Sequence, residues 1–224
     1  MTQTKTPKAE ADQIDTGVRS FLAHPIIYKT FQRLIGIDRA FKTLVNEIIK
    51  PVAGDRMLDI GCGEAHILDF LPKGIAYVGY DLNPAYIDYA RRKYGGRGTF
   101  INERVSEMVV QAAEPFDIIL AAGLLHHLND HEGEDLFRVG YNCLKPGGSM
   151  FTTDNCYFKG QSPIARYISS KDRGQHVRYP EQYKKIASHV FNNIEVIIKT
   201  NMVRIPQTTC ILKCKKEQQS TFAK

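Results

Sequence analysis

No apolar run in the 224-residue sequence is long enough to cross a bilayer, and the opening stretch, MTQTKTPKAEADQID, is polar and carries both signs of charge. A membrane span needs about 20 largely apolar residues in succession, and a secretory signal needs an apolar core behind its basic start. With neither present, we expect no membrane partner and a cytoplasmic location. Cysteine is sparse: Cys62, Cys143, Cys156, Cys210 and Cys214 are odd in number and scattered through apolar stretches. That pattern suits reduced thiols better than a disulfide framework. No internal repeat or low-complexity segment is found. A chain of this length, 43% hydrophobic, suffices for one domain with its own core. We place a disordered tail at 1–15 and a single domain at 16–224.

Acidic residues are scarce at one end. Residues 1–150 hold 17 Lys and Arg against 19 Asp and Glu, whereas residues 151–224 hold 13 against 5, so the net charge of +6 lies in the last third. Such a surplus suits an anionic ligand, or simply solvates the end of a strand.

Apolar residues before Pro51, namely Phe31, Leu34, Phe41, Leu44, Val45 and Ile48, recur at mostly three and four positions, which is helical spacing. Residues 17–50 are therefore expected to form a helical cap. Short apolar runs then alternate with amphipathic segments: RMLDI, AYVGYD, GTFIN, FDIILAA and GSMFTTD, with HILDFL, AYIDYARRKY and HEGEDLFRVGYNCL among the intervening stretches. Strands alternating with helices imply a parallel sheet covered on both faces. The ending differs. NIEVIIKTNMVR and TTCILKCKK are two β-rich runs separated by a few residues around Pro206, a connection too short for a parallel crossover, so the last strand should be antiparallel.

In such a sheet the ligand sits beyond the carboxyl ends of the strands. DIGCGEAH lies at the end of the first strand, where Gly61 and Gly63 allow a sharp turn and close approach, and Asp59 can accept hydrogen bonds. Asp81 ends the second strand, where an acidic side chain binds ribose hydroxyls. Together these point to an adenosine ligand. The third glycine of the dinucleotide fingerprint is absent, His66 standing in its place, which counts against a pyrophosphate. No Gly-Lys-Ser or Gly-Lys-Thr follows, which excludes a Walker-type phosphate loop.

LDIGCGEA, VGYDLNP, FDIILAAGLLHHL and LKPGGSMFTTD, in this order, resemble the successive motifs of class I S-adenosylmethionine-dependent methyltransferases, over roughly residues 40–215. The resemblance implies an α/β, Rossmann-like sheet of seven strands with the last antiparallel and helices on both faces. It also implies S-adenosyl-L-methionine as cofactor, with S-adenosyl-L-homocysteine as product. By position, Asp59, Gly61 and Gly63 would line the amino-acid end of the cofactor, Asp81 would hold the ribose and Leu82 would pack on the adenine. Val105 and its neighbours would meet the adenine edge, and Ala122 would close the other side. Relatives often carry an acidic residue near Arg104, and a cation cannot accept from an amino group. Glu103 or a main-chain carbonyl would substitute.

On the acceptor side, LLHHLND offers His126 and His127. An unactivated hydroxyl needs a base, and histidine titrates near neutrality. By resemblance to relatives whose residue before the second histidine faces the acceptor, His126 is assigned as base and His127 as an acceptor contact, the alternative being that both pack the following helix. We expect no metal. The spacing to His131 matches no common zinc pattern, and Cys210 and Cys214 on one strand stand roughly 13 Å apart at about 3.3 Å per residue. Residues 155–180 form a long connection that we expect to serve the acceptor. Arg173, His176 and Arg178 lie there, and paired arginine N–H donors suit a carboxylate or phosphate. The alternative is an ion pair with Asp172 that merely orders the loop. The DRG…VR segment and the later Arg204, Ile205, Pro206 and Cys210 are similar to those of a small-molecule methyltransferase subgroup associated with polysaccharide or secondary-metabolite pathways. The function implied is methylation, O-methylation favoured, of a small anionic acceptor. The alternatives are an RNA methyltransferase, for which no basic strip interleaved with stacking aromatics is evident outside residues 165–183, and a cofactor-binding protein without transfer activity. Nucleic acid is not expected as a partner, and oligomeric state is left open.

Overall fold

Gly36, at φ 82°, starts helix α1 (Ile37–Thr43), which widens into a π-helical turn at Leu44–Ile49. That turn buries Leu44, Val45, Ile48 and Ile49. Lys50 ends it in a left-handed conformation just before Pro51, whose ring cannot extend the helical ladder. The computed structural model describes residues 36–106, 114–172 and 174–218. The tail at 1–15 and cap residues 17–35 fall outside them.

The strands are β1 (Arg56–Ile60), β2 (Ala76–Tyr80), β3 (Gly98–Ile101), β4 (Phe116–Ala122), β5 (Leu144–Asn155), β6 (Asn193–Lys199) and β7 (Thr209–Lys215). They form one seven-stranded sheet in the order β3-β2-β1-β4-β5-β7-β6. The chain moves outward from β1 to β3, then returns to lay β4 on the other side of β1, so the order reverses between β1 and β4. All of these pairings are parallel, as is β4 with β5. β7 is inserted antiparallel to both β5 and β6, as the short connection around Pro206 requires.

Helices cover both faces. Asn83 accepts from Ala85 N–H to cap α2 (Pro84–Tyr94), and Asn129 with Glu132 forms a reciprocal capping box on α3 (Asp130–Cys143). Ser162 caps α4 (Pro163–Ser170), and α5 (Pro180–Ser188) follows Tyr179. One core cluster joins the π-turn residues to Ile87, Ala90 and Tyr94 of α2. The other joins Leu136 and Phe137 of α3 to Tyr183, Ile186 and Ala187 of α5.

Two expectations change. HILDFL does not form a full amphipathic helix but a single 3₁₀ turn at His66–Asp69. Pro72 and the start of β2 at Ala76 leave no room for more. Residues 155–180 are not loop throughout, because α4 occupies their middle. Among the described residues the five cysteines are free thiols, and no helix is long and apolar enough to cross a membrane.

Candidate active site

The chain leaves β1 through Gly61 at φ 74° and Gly63 at φ 54°, a left-handed region costly for residues with a Cβ. The turn is pinned from below. Gly61 and Cys62 N–H both donate to the carbonyl of Tyr80, at 2.8 and 2.9 Å. Gly63 N–H donates to Asp81 Oδ2 and Asn83 N–H to Asp81 Oδ1, each at 2.8 Å. The Asp81 carboxylate is thus fixed in place, and each oxygen keeps a further lone pair for a ligand hydroxyl. Leu82 beside it is 57% exposed, an apolar side chain held over the same hollow. Asp59 is buried and accepts from Tyr77 Oη at 2.7 Å through Oδ2, while its buried Oδ1 has no partner among the described residues. Burial pushes its pKa up to about 7 against the Tyr77 hydrogen bond, with the charge of Asp81 adding to the rise.

These residues open into one cavity of about 1720 Å³, lined also by Val105, Ala122, Glu103 and Arg104. Single-ligand pockets run to roughly 300–1,000 Å³, so there is room for two molecules. Ile37, Ala40, Phe41 and Leu44, from α1 and the π turn, line its rim. An unpaired buried carboxylate oxygen, a fixed carboxylate and an exposed apolar side chain suit a nucleoside with a cationic end.

The opposite wall of the cavity, where the acceptor is expected, is built on β4 and β5. After Gly123, whose N–H donates to Thr153 O at 2.7 Å, a 3₁₀ turn at Leu125–His127 carries both histidines. His126 is only 7% exposed. Asp154, near the end of β5, accepts from the main-chain N–H of His126 at 3.1 Å and meets its ring Nδ1 at 2.8 Å. The other ring nitrogen, Nε2, stands 3.3 Å from Asp172 Oδ1. Burial works to lower the His126 pKa, but the hydrogen bond and charge of Asp154, followed by the charge of Asp172, outweigh it. Arg178 pulls the other way, and the net result lies above the ordinary histidine value.

Asp172 and residues 174–176, together called the strap, lie against this ring. Asp172 accepts from Gly174 N–H at 2.7 Å and from Asn155 Nδ2, and His176 N–H donates to His126 O at 2.9 Å. A Cβ at Gly174 would run into the Cδ2 and carbonyl oxygen of His126, so only glycine lets the strap down this far.

Of the residues expected at the site, Asp59, Gly61, Gly63, Asp81, Leu82, Val105, Ala122, His126, His127 and His176 share the one cavity. Arg173 falls outside the described residues. Arg178 is a correction: it is not free to hold an acceptor anion. Its Nε and Nη2 donate to Asp130 Oδ1 at 3.0 and 2.7 Å, Nη1 to the carbonyls of Leu125 and His176 at 3.2 and 2.9 Å, and Nη2 to that of Leu128 at 2.7 Å. All five N–H donors are spent inside the protein. Asp154 and Asp172 went unassigned in the sequence. Asp154 closes GSMFTTD at the ligand edge of the sheet, where a terminal acidic residue is itself a signal, whereas nothing in SKDRG marks Asp172 as a partner of a residue 46 positions earlier.

Residues 57–148 match a family model described as a methyltransferase domain. The chain is 28% identical over 140 residues to phosphoethanolamine N-methyltransferase 1 of Triticum aestivum, an alignment covering 60% of this chain and 27% of that protein. It is 37% identical over 106 residues to the ubiquinone biosynthesis O-methyltransferase of Chelativorans sp. (strain BNC1), covering 46% of this chain and 41% of the relative. It thus spans less than half the length of these curated relatives. Among solved structures, a phosphoethanolamine N-methyltransferase 2 of Haemonchus contortus, in complex with phosphomonomethylethanolamine and S-adenosylhomocysteine, superposes with a TM-score of 0.62 at 19% identity, over 91% of this chain and 61% of that one. The sheet order and the switch-point cavity define a Rossmann-like domain. Within it, residues 57–148 are the part that is similar to a methyltransferase domain.

Proposed function

We propose that the protein transfers a methyl group from S-adenosylmethionine to an oxygen of a small-molecule acceptor, with His126 as the general base. The observation that carries this reading is the Asp154–His126 pair at the cavity wall next to Gly123. Asp154 holds Nδ1, which fixes the ring, and Nε2, 3.3 Å from Asp172 Oδ1, is the nitrogen that would take a proton, with the Asp172 charge stabilising the cation formed. When bound, the cofactor supplies an electrophilic methyl group, and displacement at that carbon needs an aligned, deprotonated acceptor oxygen. The Gly61–Gly63 turn, Asp81 and Leu82 would bind and orient the nucleoside, and the unpaired oxygen of Asp59 would face its cationic amino-acid end. The two curated relatives are named for small acceptors, one methylated on nitrogen and one on oxygen, which supports a small acceptor here. A base beside the cavity favours oxygen, because an amine needs only alignment once neutral. With Arg178 committed elsewhere, Arg173 is the remaining expected anchor for an anionic group.

The test is to incubate the protein with methyl-labelled cofactor and fractionated cell extract, then identify the labelled product. An O-methyl product, lost with His126→Ala, is expected. An N-methyl product or full activity without His126 would overturn the assignment of the base.

A further inference from the structure

Arg178 is buried, at 7% exposure, yet it touches neither the cofactor half of the cavity nor its open acceptor end. Its donors are distributed in a pattern. Leu125 O and Leu128 O, which flank the two-histidine turn, both receive a guanidinium N–H. So does Asp130 in the first turn of α3, which continues that turn. His176 O, on the strap, receives another, and the N–H of the same residue donates to His126 O. One planar fork therefore closes a ring through the turn, the start of α3 and the strap. The fork is itself anchored: Arg178 N–H donates to Tyr183 Oη at 3.3 Å, Arg178 O accepts from Tyr157 N–H at 3.0 Å, and the guanidinium lies 5.7 Å from the Tyr183 ring centre.

We propose that Arg178 is the positioning residue of the His126 site, clamping the strap onto the histidine turn so that Asp154 from the sheet and Asp172 from the strap meet opposite nitrogens of one ring. Asp154 needs no such help, since it also accepts from the backbone of His126. Asp172 is tied to β5 by Asn155 Nδ2, and its approach to Nε2 is set in addition by the strap that carries it, which is stitched to the turn through His176 and Arg178. A lysine can supply the charge but not five coplanar donors. The groups facing the His126 ring are Asp154 from β5, Asp172 from the strap, Arg178, and the His127 ring at 4.2 Å between centres.

This deepens the reading of His126 as base and rests on it, but the test needs no acceptor. Protein with ¹⁵N-labelled histidine is titrated by NMR, with S-adenosylhomocysteine binding followed by calorimetry as a check on the fold. In wild type the His126 ring should stay protonated above the ordinary histidine range. In Arg178→Lys, which keeps the charge, the midpoint should fall as Asp172 moves away, with cofactor-product affinity unchanged. If that variant no longer binds S-adenosylhomocysteine, Asp130→Asn decides, since it weakens the fork from an exposed position and should move the midpoint the same way by less. A His126 titration and ring shifts identical to wild type, in either variant that still binds the product, would reduce Arg178 to a packing residue. Failure of the base reading looks different: His126→Ala would keep full turnover while the titration results stood.

Discussion

His126 stands between two carboxylates, and that placement sets when it can work. A base must be unprotonated, and the pair of negative charges holds its pKa above the ordinary value. Turnover should therefore rise with pH and level off only above the normal histidine range, and the rising limb should vanish in His126→Ala along with roughly two to four powers of ten in rate. A flat profile from pH 6 to 8 would argue against the base. The same group reports in stability. Its folded pKa is raised, so its favourable contribution is complete below the unfolded value and is lost as pH climbs through the folded one. Asp154→Asn should leave cofactor affinity alone and lower turnover, because an amide holds the ring without stabilising its cation. Of these residues, His126 was legible from its place after the fourth strand. Its two carboxylates were not, because the contacts join β4 to β5 and to a strap far along the chain, and neither hydrophobic period nor local spacing encodes such pairs.

Two elements border the cavity: α1 with its π turn at the rim, and the strap beside His126. The strap can rest on His126 only because residue 174 has no side chain. Gly174→Ala should lift it, with His126 becoming accessible and its titration moving toward that of an ordinary histidine while S-adenosylhomocysteine binding persists. Unchanged diethyl pyrocarbonate reactivity at His126 would count against this. At this scale the sequence was readable where period and length agreed. AYIDYARRKY has helical spacing, an Asn-Pro start and enough residues, and it forms α2. HILDFL has the spacing without the length, so tertiary limits at Pro72 and β2 cut it to one 3₁₀ turn. Within 155–180, α4 is only eight residues long and so carries little helical period, although Ser162-Pro163 is a serviceable helix start. Arg178 misled for a related reason: an arginine in a long connection reads as a ligand anchor until its carbonyl partners, some 50 residues earlier, are placed beside it.

At the scale of the whole molecule, the burial of Asp59 ties stability to pH, and the cofactor contact proposed for its unpaired oxygen would tie binding to both. Asp59 sits in β1, an interior strand flanked by β2 and β4, and its pKa rises from 3.8 to about 7 because burial penalises the charged form. Between those values the unfolded chain has released a proton that the folded one keeps. Stability therefore falls as pH rises through that window, and above about 7 the full cost is present. Asp59→Asn removes this term, so its melting temperature relative to wild type should increase from pH 5 to pH 8. Ligand binding should act in the opposite direction. The α-ammonium of S-adenosylhomocysteine, set against the unpaired Oδ1, favours the carboxylate and should draw the proton off. Affinity should thus increase with pH up to about 7. Calorimetry at pH 6.5 in buffers of different ionisation heat should register a net proton released on binding, absent from Asp59→Asn, which should also bind more weakly. Proton release that is zero in wild type, or equal in the two proteins, would remove Asp59 from the amino-acid end of the cofactor and leave the Gly61–Gly63 turn and Asp81 to hold it alone.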